Sequence, residues 1–233
     1  LRISAIIPTL NDADRLAACL SALSEADEII VSDGGSTDST VSLATERGAT
    51  VVQGSGGVGA QLRRGAEASG YNGLLFIPPG TVLDSLAVWR AKKHLNRSLR
   101  PACFWLCIDN EARRARLVEK AVDWRTRILQ LPSLSQALAV RKDQYLAAGG
   151  YRPLPIMEHE DLLHRLLPII QLPDDAFVSG DGIRRDGWVR RSTGTLLKLT
   201  LWHAGVSPDR IATLTGSDRR KSEGAEPAIQ PAQ

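Results

Sequence analysis

The stretch Glu28 to Thr40, EIIVSDGGSTDST, limits the possible folds more than any other part of the chain. Its first half, Glu28-Ile29-Ile30-Val31, is apolar at successive positions and β-branched, which is how a parallel strand covered on both faces reads. Asp33 then falls at the carboxyl end of that strand. Gly34 and Gly35 permit a sharp turn, and Ser36, Thr37 and Asp38 offer N-cap oxygens to a helix that reaches Arg47 and stops at Gly48. In open α/β sheets ligands bind beyond the carboxyl ends of the strands. A carboxylate held there can accept from the imide N–H of a base or from a ribose hydroxyl, although capping of the turn accounts for the same residues one by one.

Neighbouring segments repeat the unit. Ile3 to Ile7 is an apolar run ended by Pro8, and Thr9, Leu10 and Asn11 precede a helix marked by Leu16, Cys19, Leu20 and Leu23. Thr50 to Gln53 reads as a third strand, closed by Gly54-Ser55-Gly56-Gly57-Val58-Gly59 and followed by a helix to about Ser69. Leu74 to Ile77 is a fourth, after which Pro78-Pro79-Gly80 forbids continuation. This alternation predicts right-handed crossovers and a single α/β domain with a mostly parallel sheet and helices on both faces. Gly54-x-Gly56-x-x-Gly59 satisfies the dinucleotide fingerprint, but that turn belongs after the first strand, with an acid ending the second. An NAD-binding oxidoreductase therefore ranks third among the readings, behind a plain flexible loop as the explanation of these glycines.

Beyond Asp84 the pattern changes. Asp84 or Ser85 can cap a helix carrying Leu86 and Trp89, and Ala102 to Ile108 is a strand apolar on both faces. Glu111 to Gln130 is amphipathic, with Leu117, Val118, Ala121, Val122, Trp124 and Ile128 expected inward and Arg113, Arg114, Arg116, Arg125 and Arg127 mostly outward. Ala137 to Val140 is a strand and Gln144 to Ala148 a short helix ended by Gly149-Gly150. Met157 to Leu167 is a helix that opens on Glu158, His159, Glu160 and Asp161. Trp188 to Val206 places Leu196, Leu197, Leu199, Leu201 and Trp202 beside Arg184, Arg185, Arg190, Arg191 and Lys198. It is too short to span a bilayer; packing on the sheet is the expected fate, an interfacial helix serving a lipid-linked acceptor the alternative. Residues 217–233 have the composition of a disordered tail.

A net charge of +3 suits a phosphate-bearing ligand, and no basic-aromatic motif points to nucleic acid. Cys19, Cys103 and Cys107 show neither zinc spacing nor a disulfide framework and read as buried thiols in a reducing compartment. No signal peptide or spanning run is recognised, so the expected location is cytoplasmic, with peripheral contact at the inner face of the membrane through the C-terminal segment as the variant.

In this order the motifs resemble the inverting family 2 glycosyltransferases, of the GT-A or nucleotide-diphospho-sugar transferase fold, from Ile3 to about Gly216. Ile6-Ile7-Pro8-Thr9-Leu10-Asn11 is similar to the opening strand and first nucleotide contact, and Asp33-Gly34-Gly35-Ser36-Thr37-Asp38 to the second, where the aspartate holds the base, usually uracil. Gly59-Ala60-Gln61 resembles the start of the helix beside the donor, and Leu74 to Ile77 the strand leading to the metal motif. Arg141 to Tyr145 and Gly149-Gly150-Tyr151 resemble the segment before the catalytic base, and Asp186-Gly187-Trp188-Val189-Arg190-Arg191 a C-terminal run of one bacterial branch.

The resemblance implies a nucleotide-binding half at residues 3–77, an acceptor half at 102–172 and a C-terminal helical segment at 186–214. It also implies that Pro8, Thr9, Asn11, Asp33, Gly34, Gly59 and Gln61 hold the nucleotide, and that Glu158, His159 and Asp161 supply the catalytic groups. Four positions depart from the family pattern. Pro78-Pro79-Gly80-Thr81 stands where a metal-binding acid motif is expected, Val58 where a base is, Ser135 where an acid precedes Gln136, and His159 where the general-base carboxylate is. Mg²⁺ or Mn²⁺ is typical of the family, but no metal ligand can be named here, because a hard cation needs oxygen ligands and Gly80 has no side chain. The implied activity is hexosyltransferase-like: transfer of a sugar from a UDP- or GDP-linked donor to an unidentified hydroxyl. Its rival is a catalytically impaired relative that binds a nucleotide or a protein partner.

Overall fold

The computed structural model describes residues 1–110, 113–166, 168–179 and 188–216, with the side chains of 188–193 excepted. The first half follows the expected alternation: β1 (Ile3–Thr9), α1 (Ala13–Ser21), β2 (Glu28–Asp33), α2 (Thr40–Glu46), β3 (Thr50–Gln53), α3 (Val58–Ala68) and β4 (Gly73–Phe76). These strands lie side by side as β3-β2-β1-β4, all parallel. β1 is buried at every position and runs two residues further than expected, through Pro8. Ile6 offers its carbonyl to Ile77 N on the β4 side, and with period two Pro8 faces that side as well. β4 pairs no further than Phe76, so the missing N–H of Pro8 breaks no ladder bond.

The second half contains β5 (Thr81–Leu83), α4 (Ala87–Arg97), β6 (Ala102–Asp109) and α5 (Arg113–Trp124), which continues as a π-helical turn at Arg125–Leu129. A 3₁₀ turn (Leu134–Gln136), β7 (Leu138–Arg141), α6 (Lys142–Ala147), α7 (Glu158–Leu166), β8 (Ile170–Ser179), α8 (Trp188–His203) and α9 (Pro208–Thr215) follow. The strands make one sheet in the order β3-β2-β1-β4-β7-β6-β8-β5. The sheet is mixed but mostly parallel, as expected: β1–β2, β2–β3, β1–β4 and β6–β8 pair parallel, whereas β7 is antiparallel to β4 and β6, and β5 is antiparallel to β8. Two strands were not foreseen. β5 is too short to show a period, and β8 carries Pro173, Asp174 and Asp175 in its middle, residue types depleted in strands.

The sheet must roll. Four strand spacings separate β4 from β5, about 19 Å if flat, which is close to the fully stretched reach of the residues joining them. The connection is not stretched, because Thr81 N turns back to the Pro78 carbonyl at 3.1 Å. Closure is held by Thr81 Oγ1 donating to the Ser135 carbonyl at 3.3 Å.

Alternate residues of the central strands feed two cores. Ala5, Ile7, Leu75 and Ile77 pack with Leu16 and Leu20 of α1 and Ala87 and Ala91 of α4. Ile6, Leu74 and Phe76 pack on the other face with Leu62 and Ala66 of α3 and Leu162 and Leu163 of α7. α5 departs from its expected orientation. Leu117, Trp124 and Ile128 are exposed, whereas Ala115 and Thr126 are buried. Thr126 is drawn inward by Gln136, whose side chain takes the Thr126 hydroxyl at 3.1 Å and the Ser133 N–H at 2.9 Å and donates to the Phe104 carbonyl at 2.9 Å. A buried polar hub thus overrides the apolar periodicity. Cys19 and Cys103 are buried and pushed up to about 12 by burial, while Cys107 is half-buried. Asp186, Gly187, Arg184, Arg185, Glu111, Leu167 and residues 217–233 lie outside the described residues, as do the side chains of Trp188 to Arg191.

Candidate functional site

A cavity of about 1150 Å³ opens at the carboxyl ends of β1 and β4. Its walls come from Pro8, Thr9, Leu10 and Asp12 after β1, and from Val58 and Gln61 at the start of α3. Pro78 and Pro79 follow β4, and Met157, Glu158, His159 and Glu160 open α7. Arg15 of α1, Arg125 of the π turn, Ser133 to Ser135, Leu197, Lys198 and Leu199 of α8, and the end of α9 also contribute to the lining. Packing of α8 is local: Leu199 is buried and Trp202 lies 4.6 Å from the His164 ring, while Leu196 and Leu197 stay exposed. No helix among the described residues is long and apolar enough to cross a membrane.

The sequence-predicted nucleotide residues divide into two groups. Pro8, Thr9 and Gln61 line the cavity. Asp33 does not. It is fully buried, and its oxygens accept from Gly35 N (2.9 Å), Ser36 N (2.8 Å), Ser36 Oγ (2.5 Å) and Thr9 Oγ1 (3.0 Å). Burial alone would raise its pKa, but the bonds from Ser36, Gly35 and Thr9 outweigh that and hold the carboxyl below the ordinary carboxylate range. The aspartate thus braces the β2 turn against β1, and a base or ribose would have to displace one of these partners. Asn11, at φ +54°, also ties the two loops together: its Oδ1 accepts from Thr37 N at 2.9 Å and Asp38 N at 3.3 Å. Gly34 and Gly59 serve close approach. A Cβ on Gly34 would overlap Gln61 Nε2, and one on Gly59 would lie 2.5 Å from the Arg152 carbonyl and 3.0 Å from Glu158 Cβ.

The predicted catalytic residues also part company. Glu158 is nearly buried and faces the cavity. Met157 before it holds φ +63°, a left-handed conformation that an L side chain rarely adopts and that sets where α7 begins. His159 lines the cavity but is 4% exposed, with Nδ1 2.9 Å from the Tyr151 hydroxyl and its ring stacked on that of Tyr151. Loss of solvation, then the positive charge of Arg125, push its pKa down to about 3, with the Pro132 carbonyl acting weakly the other way. Such a ring is neutral at physiological pH and a poor resting place for a proton. Asp161, expected among the catalytic groups, is absent from the cavity lining. Its carboxylate pairs with Arg165 at 2.5 Å and Arg152 at 3.3 Å.

Sequence reasoning missed Arg15, Asp12 and Glu160, and it assigned Arg125 to a solvated face. Arg125 instead lines the cavity, with Nε buried and unpartnered among the described residues and its pKa lowered by burial. No group of three or more His, Cys, Asp or Glu side chains among the described residues could hold a metal ion. The turn after β4, where the acid motif is expected, offers a divalent cation no side-chain oxygen at Pro78, Pro79 or Gly80. The glycine loop also fails its dinucleotide role. β3 is the edge strand, and Arg64 Nη1 and Nη2 close the loop on the Gly54 carbonyl at 2.9 and 2.7 Å.

Residues 4–77 match the family model described as glycosyl transferase family 2. No curated protein matches the chain by sequence. Among solved structures, the chain is similar to Staphylococcus aureus TarS 1–349 in complex with UDP-GlcNAc, with TM-score 0.60 and 16% identity over 77% of this chain and 58% of that one. It is also similar to glucosyl-3-phosphoglycerate synthase from Mycobacterium tuberculosis in complex with Mn²⁺, UDP and glucosyl-3-phosphoglycerate, with TM-score 0.58 and 21% identity over 88% of this chain and 81% of that one. The chain thus spans somewhat more than half the length of the TarS fragment. The family resemblance is borne out by sequence over the nucleotide half and by fold over the described domain.

Proposed function

We propose that the chain is a family 2 glycosyltransferase of the GT-A fold and that it moves a sugar from a nucleoside diphosphate, UDP or GDP, to a hydroxyl acceptor. The observation that carries this reading is that one continuous cavity is lined both by the β1 and β4 strand ends and by Glu158. At about 1150 Å³ it exceeds a typical small-molecule pocket of roughly 300–1,000 Å³, so donor and acceptor fit together. In the transfer, the acceptor O–H gives its proton to Glu158 as the oxygen bonds to the anomeric carbon. The bond from that carbon to the diphosphate breaks, and its electron pair leaves with the nucleotide. Arg15, Arg125 and Lys198, which line the same cavity, bring positive charge to the departing diphosphate.

A second reading, ligand binding without turnover, draws support from His159, whose buried and weakly basic ring stands where the family's base is expected. One experiment separates the two. Incubation with a panel of UDP- and GDP-sugars should release nucleoside diphosphate, and Glu158→Gln should abolish release while leaving donor binding intact. Release that survives Glu158→Gln would refute the base assignment; stabilisation by a nucleotide with no release from any donor would favour the second reading.

A further inference from the structure

We infer that the site holds a diphosphate without a divalent cation, the Arg15 guanidinium standing in the cation's place; this rests on the nucleotide-sugar reading above. The turn after β4 brings Pro78 and Pro79 to the cavity wall with Gly80 next to them, three residues that offer no side-chain oxygen. Space at Gly80 is not the obstacle. A Cβ added there would meet Arg15 Cδ at 3.6 Å and Arg15 Nη1 at 3.8 Å, ordinary van der Waals contact. An acid at position 80 would therefore begin against a guanidinium and pair with it. The same volume can serve a carboxylate that seats a metal or an arginine that replaces one, and this chain has the arginine.

Arg15 is held for that task. Asp12 stands at the N-cap position of α1 without a side-chain capping bond; instead it accepts from Leu10 N through Oδ2 at 3.0 Å and pairs through Oδ1 with Arg15 Nη2. The acid is 8% exposed and the arginine 63%, so a buried anchor positions a cation that remains open to the cavity. A guanidinium carries five N–H donors in a planar fork that matches phosphate oxygens, and it needs no carboxylate ligands to be retained. Mg²⁺ beside a substrate's phosphates usually binds through one or two carboxylates, and the turn at Pro78-Pro79-Gly80 supplies none. Arg125 and Lys198 add positive charge to the same cavity.

The test is isothermal titration of the full chain with UDP, GDP and uridine, in EDTA and again with Mn²⁺. UDP or GDP should bind with the same affinity in both buffers. Arg15→Ala should weaken the diphosphate about tenfold or more, as expected for losing a charge-assisted hydrogen bond, and leave uridine unaffected. Gly80→Asp should weaken UDP in EDTA by a comparable factor, because the new carboxylate captures Arg15. Arg15 is largely exposed, so its truncation does not threaten the core. Binding that requires Mn²⁺, or an Arg15→Ala variant that loses uridine and UDP equally or neither, overturns the inference while the transferase reading stands. Absence of nucleotide binding in both buffers overturns the transferase reading and this one with it.

Discussion

The buried His159 makes acid stability a direct probe of the site. Its pKa is pushed down to about 3, against an ordinary value of 6.5, by burial and then by Arg125. Between those two values the unfolded chain binds a proton that the folded chain refuses, so stability is full above pH 6.5 and falls as the pH drops towards 3. Each unit is worth about 1.4 kcal/mol, so near pH 5 the loss is about 2 kcal/mol, a large share of the ~5–15 kcal/mol that holds an ordinary domain together. His164 is shifted in the same direction, by burial and then by His203, and adds to the loss. Urea unfolding near pH 7 and near pH 5 should be compared for the native chain and His159→Gln. Glutamine can still accept the Tyr151 hydroxyl but does not titrate, so the native chain should lose about 2 kcal/mol more than the variant between the two conditions. Identical pH dependence, or a ring that titrates near 6.5 by NMR, would refute the reasoning. It would also return His159 to consideration as a base.

Two further outcomes test the elements that build the cavity. Gly65→Ala gains about 1 kcal/mol of helix propensity, but its Cβ would overlap Ile6 Cγ2 in the fully buried central strand. Overpacking costs about 1–3 kcal/mol and should win, lowering the denaturation midpoint; an unchanged or raised midpoint would show that α3 can lift from β1. Asp33→Asn leaves one acceptor oxygen for four donors, so it should cost about 1–3 kcal/mol and lower the melting temperature by roughly 5 °C. A variant as stable as the native chain would argue that the carboxylate is kept for a ligand and not for the turn.

The nucleotide half was legible because its signals are local. An apolar run, a glycine turn and a capped helix lie within a dozen residues of one another, and β2 ends at Asp33 as its pattern requires. The second half was harder to read because its order is set at a distance. β8 shows Pro173-Asp174-Asp175 and looks like a loop, yet Asp174 is 4% exposed and paired with Arg90 at 2.8 Å, a contact that no window of sequence displays. At the site, the chain revealed which positions had lost acids but not what replaced them. Arg15 sits inside an ordinary amphipathic helix, and its approach to Gly80 depends on the roll of a sheet whose closing strands were not recognised. Arg125 was hidden for a related reason: the π turn rotates it away from the arginine stripe of α5.

The corner at Pro78 and Pro79 performs two duties that a flat diagram keeps apart. It delivers the chain from the middle of the molecule to its far rim, and it walls the chamber where a ligand would rest. Its neighbour Gly80 carries no such burden, with ordinary clearance around it. Anyone wishing to re-equip this chamber can exchange the group at that one residue and leave the architecture undisturbed, whereas lengthening the corner by a residue would loosen the curvature that brings every wall to face the others.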